Sequence, residues 1–311
     1  MSTTTPTSFS VVIPVYNKAA SIRRAVVSVL DQADIAPNRV EIILVDDGSQ
    51  DDSVSCATEL QAEFSDRRIK LHRQKNAGVS AARNTGVSLA SHPLVVFLDA
   101  DDSYKPTFLA TIERLFLAFP ACAAFGTAYE FVWQTSGQKK SPRLRGLDPA
   151  NRKQILPDFF LSAAQGDLPF NTSSLCVRKD VFELLGGFPL GENMGEDQSL
   201  FCELALSHQI AYSPDVCAHY FQEVSGSLMQ TESAVGEMPF SERLQSKLDA
   251  GTIPADMAPS VRAYIAGHLL DLVRRNLRSG NFAAAKKILK DPRSKVTRLK
   301  WYYWHARSLL A

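Results

Sequence analysis

Two strand-like runs of this chain end in carboxylates, and few architectures accommodate that pattern. Glu41-Ile42-Ile43-Leu44-Val45 leads into Asp46-Asp47-Gly48-Ser49, and Leu94-Val95-Val96-Phe97-Leu98 leads into Asp99-Ala100-Asp101-Asp102. Ser10-Val11-Val12-Ile13 is a further apolar run, and after it Ile22, Ala25, Val26, Val29 and Leu30 recur at helical spacing. Short β-branched runs alternating with longer amphipathic stretches predict an α/β fold around a mostly parallel sheet. In open α/β sheets ligands bind at the carboxyl ends of strands, so both acidic clusters are expected to face one crevice.

The rest of the layout follows the same grammar. Ser49, Asp51 and Asp52 can cap a helix running to about Phe64, a strand spans 69–73, and the small residues of 77–90 favour a helix. Residues 106–119 read as helical and 122–133 as a strand carrying Phe125, Tyr129, Phe131 and Trp133. The polar stretch 134–157 suggests a long loop over the crevice. A strand-like run at 172–177 precedes a helix from about Lys179, and Gly195-Glu196-Asp197-Gln198 opens another. Beyond about 240 no strand pattern remains; 262–277 and 282–289 read as a helical hairpin broken at Ser279-Gly280-Asn281.

A length of 311 residues suits one large domain with an accessory piece, or two domains. With 45% hydrophobic and 22% charged residues and a net charge of +1, the composition is that of a soluble globular chain and gives no electrostatic case for nucleic acid. Cut at residue 240, the balance is −8 before and +9 after, so the C-terminal segment has a different electrostatic partner from the main body. No run approaches the ~18 apolar residues of a membrane span. The first eight residues read as a frayed leader without a secretion signal. Five cysteines without C-x-x-C spacing favour reduced, buried thiols in a cytoplasmic protein.

Three carboxylates within four positions repel one another unless a cation or proton intervenes. Oxygen-only ligands suit Mg²⁺ or Mn²⁺, which usually share one or two carboxylates with substrate phosphates. A solvated acidic loop capping the next helix is the other reading of the same cluster. Asp46-Asp47 could accept hydrogen bonds from a base or ribose, Tyr16 could stack on a ring, and Arg83 could pair with phosphate; each is also compatible with a turn, a core aromatic or a surface arginine. Neither G-x-G-x-x-G after the first strand nor G-x-x-x-x-G-K-[ST] occurs, against both a dinucleotide oxidoreductase and a P-loop nucleotidase.

Val12-Ile13-Pro14-Val15-Tyr16-Asn17, Val45-Asp46-Asp47-Gly48-Ser49, the stretch 76–86, Asp99-Ala100-Asp101-Asp102 and Gly195-Glu196-Asp197 occur in the order and approximate spacing of family 2 glycosyltransferases. The sequence resembles that family over roughly residues 9–230. The resemblance implies a GT-A fold, a Rossmann-like mixed sheet flanked by helices. The divisions expected are a disordered leader at 1–8, the GT-A domain at 9–235 and an all-helical basic extension at 236–311. It also implies a nucleotide-diphosphate sugar donor, here a UDP-sugar, with Mn²⁺ or Mg²⁺ and inversion at the anomeric carbon. Tyr16 and Asp47 match the base-contacting pair, with Pro14 and Asn17 shaping that pocket and Lys18 and Arg83 near the base or diphosphate. Asp99 matches the carboxylate that lies toward the ribose, Asp101 the metal ligand, and Asp102 a further candidate ligand. Asp197 matches the catalytic base beside Glu196. A carboxylate there can take the acceptor hydroxyl's proton, whereas helix N-terminal charge is what the pair would mean outside the family.

One departure concerns the late loop, Tyr220 to Leu228, where many members carry His and Arg at the positions of Phe221 and Gln222. His219 is a candidate substitute from a neighbouring position, or a core residue. At the C-terminus, Lys295, Arg298, Lys300 and Arg307 surround Trp301-Tyr302-Tyr303-Trp304. Residues 295–307 suit either peripheral contact with an anionic membrane or packing of the aromatics onto neighbouring helices. The acceptor expected is a glycan or lipid-linked hydroxyl in surface polysaccharide or glycolipid synthesis. Two rivals remain: a non-catalytic sugar-nucleotide-binding scaffold of the same fold, and a sugar nucleotidyltransferase. The turn Tyr16-Asn17-Lys18 argues against the latter, which usually has a Gly-rich basic loop there.

Overall fold

The computed structural model describes residues 7–192, 194–222 and 236–309. They divide into two compact units. The first comprises, among the described residues, 7–142, 148–156 and most of 169–222; the second comprises 143–147, 157–168 and 236–309. Residues 1–6, most of the expected leader, and 223–228 of the late loop lie outside the described residues.

In the first unit, the fully apolar run forms β1 (Phe9–Val15), every residue of which is buried. It pairs in parallel with β2 (Val40–Asp46) on one side and β4 (Leu94–Phe97) on the other, while β3 (Arg68–Arg73) extends β2. The sheet continues antiparallel through β9 (Leu175–Arg178) to β6 (Ala124–Trp133), then parallel to β10 (Ile210–Gln222), with β5 (Ser103–Tyr104) antiparallel at the edge. Two-residue strands β7 (Lys139–Lys140) and β8 (Gln154–Ile155), both inside the stretch read as a loop, pair with β6 and β10. The sheet is therefore mixed, and its parallel core β3-β2-β1-β4 opens both acidic clusters at one edge.

Helices cover this sheet where the sequence periodicity places them. In α1 (Ile22–Leu30), Ile22, Ala25, Val26 and Val29 are buried in one cluster with Phe9, Val11, Ile13, Ile42 and Leu44. Helices α2 (Ser53–Glu63), α3 (Val79–Leu89) and α4 (Phe108–Ala118) follow. Helix α3 packs close to β1 because position 86 is glycine: a Cβ there would sit 2.2 Å from Val12 Cγ1.

Two elements depart from the sequence reading. In the run at 172–177, Thr172–Ser174 form a 3₁₀ turn, held by the Asn171 N–H donating to Ser174 Oγ at 3.0 Å, and the strand begins only at Leu175. The 13-residue β10 has no simple alternation because Pro214 and Asp215 interrupt it; the register shifts between Ser213 and Val216 and again before Ala218. Proline inside a sheet is tolerated at such irregularities. Helices α6 (Lys179–Leu184) and α7 (Glu196–Ser207) complete the unit.

The second unit is helical: α5 (Phe159–Gln165), α8 (Pro239–Asp249), α9 (Ala258–Arg278), α10 (Phe282–Lys290) and α11 (Arg298–Leu309). Phe159, Phe160 and Phe240 each meet the Tyr264 ring, at centroid distances of 5.9, 5.6 and 5.7 Å. The expected hairpin is α9 and α10, turned at Gly280 with φ 75°. All five cysteines are free and four are buried. No described helix is long and apolar enough to cross a membrane.

Gly86→Ala should lower stability by about 1–3 kcal/mol through overpacking against Val12. Denaturant unfolding measures it, and a wild-type midpoint would mean that β1 and α3 can separate at no cost.

Candidate active site

The site starts where β1 and β2 end. Asn17 turns the chain with a left-handed φ of 54°, a region asparagine tolerates better than most residues. Its N–H donates to Ser49 Oγ at 3.0 Å and its Oδ1 accepts from the Gln50 N–H at 2.8 Å, so it ties the exit of β1 to the turn after β2. Pro14 is buried in the strand beside it, and Tyr16 is 46% exposed. Lys18 is fixed by its N–H to Ser53 Oγ at 2.7 Å and reaches Asp101 Oδ2 with Nζ at 2.7 Å.

Asp47 is buried and much of its hydrogen-bonding capacity is used internally. Its Oδ1 accepts from Gln74 Nε2 at 2.7 Å and the Ala77 N–H at 2.9 Å, and Oδ2 accepts from the Gly78 N–H at 2.9 Å. A carboxylate has about four acceptor positions, so three are committed to the loop that enters α3. Gly78, with φ 90°, makes that approach possible.

Arg83, on α3, is neither a surface residue nor an open clamp. It is buried, donating from Nη2 to Asp99 Oδ1 at 2.7 Å and from Nη1 to Glu196 Oε1 at 2.9 Å, with its guanidinium 5.0 Å from the Phe188 ring centroid. Burial alone would lower its pKa, but the two carboxylates outweigh that and raise it. The end of β4 and the start of α7 are thereby joined through one cation.

The acidic cluster divides into unlike members. Asp101 carries the Lys18 ion pair. Asp102 is fully buried: Oδ2 accepts from Ser173 Oγ at 2.5 Å and Oδ1 from the Phe221 N–H at 3.1 Å. Burial, then Asp101 and Asp99, push its pKa well above the carboxylate range. The Asp99 N–H in turn donates to Ser173 Oγ at 3.1 Å. Asp102 thus ties the cluster to the 3₁₀ turn before β9 and to β10, and presents neither oxygen outward. Among the described residues no group of three His, Cys, Asp or Glu side chains could hold a metal.

At the start of α7, Gly195 is left-handed with φ 82°, and Glu196 and Asp197 open the helix. Asp197 is partly buried and accepts from the Gln198 N–H at 2.7 Å. Burial and the neighbouring Glu196 raise its pKa to about 7, against the opposing pull of Arg83.

His219 lies in another set of contacts. Its Nε2 is 3.0 Å from Glu130 Oε1, a carboxylate shared with Lys105 at 3.0 Å and Lys139 at 3.4 Å, and its Nδ1 is 3.3 Å from Ser103 Oγ. Burial and then Lys139 lower its pKa despite Glu130, favouring the neutral ring.

Several site residues were not legible in sequence. Ser173 bridges the Asp99 backbone and Asp102, yet reads as one hydroxyl in a strand-like run. Arg24 donates to the Asp101 carbonyl and lies 3.8 Å from the centroid of Phe221. The one available signal for it was a charged pair, Arg23-Arg24, breaking an otherwise apolar helix. Phe221 thus offers a face to Arg24 and a backbone N–H to Asp102.

Comparison with known proteins places this architecture. The sequence profile of Glycosyl transferase family 2 matches residues 10–183, more than half of the chain, and the chain belongs to that family. Glycosyltransferase GlyG of Streptococcus pneumoniae is 26% identical over 237 residues, 72% of this chain and 73% of that protein. Glycosyltransferase GlyA of the same organism is 37% identical over 124 residues, 39% of this chain but 17% of that protein. The minor teichoic acid biosynthesis protein GgaA of Bacillus subtilis is 36% identical over 110 residues, 35% of this chain and 24% of that protein. This chain therefore spans only a small part of GlyA and GgaA. Residues 1–349 of S. aureus TarS, solved with UDP-GlcNAc, superpose with a TM-score of 0.66 at 17% identity, covering 97% of this chain and 88% of that one. The Pyrobaculum calidifontis mannosyltransferase PcManGT, solved with GDP-Man and Mn²⁺, gives 0.59 at 19% identity, covering 98% and 88%. The fold is GT-A.

Arg83→Met should destabilise the chain by about 3–5 kcal/mol, because it leaves Asp99 and Glu196 facing each other without their cation. Urea unfolding measures this; a loss under 1 kcal/mol would mean that water replaces the guanidinium freely.

Proposed function

We propose that this chain is an inverting glycosyltransferase that moves a sugar from a UDP-sugar to a hydroxyl of a surface glycan or lipid-linked saccharide. One observation carries the reading: a single buried guanidinium, Arg83, reaches from Asp99 beside the acidic cluster to Glu196, whose neighbour Asp197 has its pKa lifted to about 7. A carboxylate poised near neutrality is suited to general base work.

In this reading the uracil stacks on Tyr16, within a pocket shaped by Pro14 and Asn17, and meets the remaining acceptor capacity of Asp47. Asp99 lies toward the ribose, Lys18 offsets diphosphate charge, and Arg83, committed to Asp99 and Glu196, holds those two carboxylates in place. Asp197 takes the proton of the acceptor hydroxyl as its oxygen attacks the anomeric carbon. The bond to the diphosphate breaks on the opposite face, and the nucleoside diphosphate leaves with the bonding electrons. The oxygen donor set suits a hard divalent cation, Mn²⁺ or Mg²⁺, which needs only one or two carboxylates beside substrate phosphates. Asp101 would hold it, since Asp102 is turned inward, and the cation would offset charge on the departing diphosphate. The GDP-Man and Mn²⁺ in PcManGT, the UDP-GlcNAc in TarS and the biosynthetic role named for GgaA support the donor class, the metal and a glycan acceptor. Five free cysteines support a reducing, cytoplasmic setting.

Asp197→Asn should lower kcat by about 10³-fold while the donor Kd stays within about threefold. The base works deprotonated, so wild-type kcat/KM should climb with pH up to about 7 and level off above it. Steady-state kinetics and donor titration measure both. Unchanged biological activity in the variant would point to the non-catalytic sugar-nucleotide-binding scaffold.

A further inference from the structure

Helix α11 has two opposite faces. On the inner face, Trp301 and Trp304 pack against Leu270, Val273, Ala285 and Leu289, and Trp301 Nε1 donates to the Leu289 carbonyl at 3.0 Å. On the outer face, Leu299, Tyr302, Tyr303 and Leu309 are 88, 62, 54 and 71% exposed, and Ala306 between them is exposed too. At 3.6 residues per turn these five occupy one arc of roughly 120°, opposite the tryptophans. Arg298 borders the arc on one side and Lys300 and Arg307 border it on the other.

The charge around this arc has one sign. From residue 292 to the C-terminus the sequence contains five Lys and Arg residues and no Asp or Glu. Arg293 is paired with Glu237 and Asp291, Lys300 Nζ bonds the Ala164 carbonyl, and Lys295 Nζ lies 5.6 Å from the centroid of the inner-face Trp301 ring, whereas Arg298 and Arg307 are exposed at the border of the arc. An outward apolar stripe with tyrosines, edged by cations, is the arrangement of a helix that lies in a bilayer interface. A second copy of this chain fits poorly, because a two-fold contact would set one basic rim against another with no carboxylate between them.

We propose that this face of α11 docks on an anionic lipid bilayer, with Leu299, Tyr302, Tyr303 and Leu309 entering the interface and Arg298 and Arg307 meeting lipid headgroups. The tryptophans are structural and take no part. This surface stands independently of the transfer reaction.

Co-sedimentation of the full chain with phosphatidylcholine vesicles, with and without phosphatidylglycerol, tests it. Binding is expected on the anionic vesicles and should weaken as salt rises. Leu299→Ser/Tyr303→Ser should weaken it about tenfold or more, and Arg298→Gln/Arg307→Gln by roughly fivefold per cation removed. All four side chains are exposed, so both double variants should melt with the wild type. Failure of the wild type to bind anionic vesicles at low salt would overturn the proposal, as would unchanged binding by both variants. A dimer in sedimentation velocity that the Leu299→Ser/Tyr303→Ser variant abolishes, without vesicle binding, would assign the face to a second copy instead.

Discussion

A buried arginine between two carboxylates organises the candidate site. Arg83 comes from α3, Asp99 from the end of β4 and Glu196 from the start of α7, 113 residues beyond Arg83. Without the guanidinium, Asp99 and Glu196 would lie close together with no cation between them and would repel. With it, Asp99 and Glu196 are held within hydrogen-bonding distance of one cation, while burial and then the neighbouring Glu196 raise the pKa of Asp197 against the opposing pull of Arg83. The same cation therefore holds the architecture together and partly offsets the rise in the pKa of the proposed base.

A second set of polar contacts fixes the acidic loop from behind. Ser173 joins the Asp99 backbone to Asp102, and Asp102 receives the Phe221 N–H, so the loop after β4, the 3₁₀ turn before β9 and β10 share one buried network. Such a network is stable only when its members are satisfied, which here leaves Asp102 facing inward and Asp101 paired with Lys18. Adjacent residues of the same type thus acquire different work from their surroundings alone.

Most of the strand and helix order is legible in the chain. The apolar run at β1 and the spacing of Ile22, Ala25, Val26 and Val29 lead directly to the observed strand and helix. What escapes is what depends on distant partners. Pro214 and Asp215 hide β10, because a strand built around bulges has no clean alternation. The Thr172–Ser174 turn reads as strand, because the bond from Ser173 to Asp102 comes from elsewhere in the fold. Asp47 and Arg83 are recognisable as site residues, yet nothing local says that the first is held by the N–H groups of Ala77 and Gly78, or that the second is buried. At the C-terminus the basic aromatic cluster was visible, but only packing separates the inward Trp301 and Trp304 from the outward Tyr302 and Tyr303.

The central claim is that the acidic edge of the sheet receives a uridine diphosphate sugar through Asp101 and a divalent cation. Calorimetric titration of the chain with UDP, GDP, CDP and TDP, with and without Mn²⁺, tests it most directly. The account predicts that UDP binds best, that Mn²⁺ strengthens it, and that Asp101→Ala removes the Mn²⁺ dependence. Binding of none of the four nucleotides would contradict it.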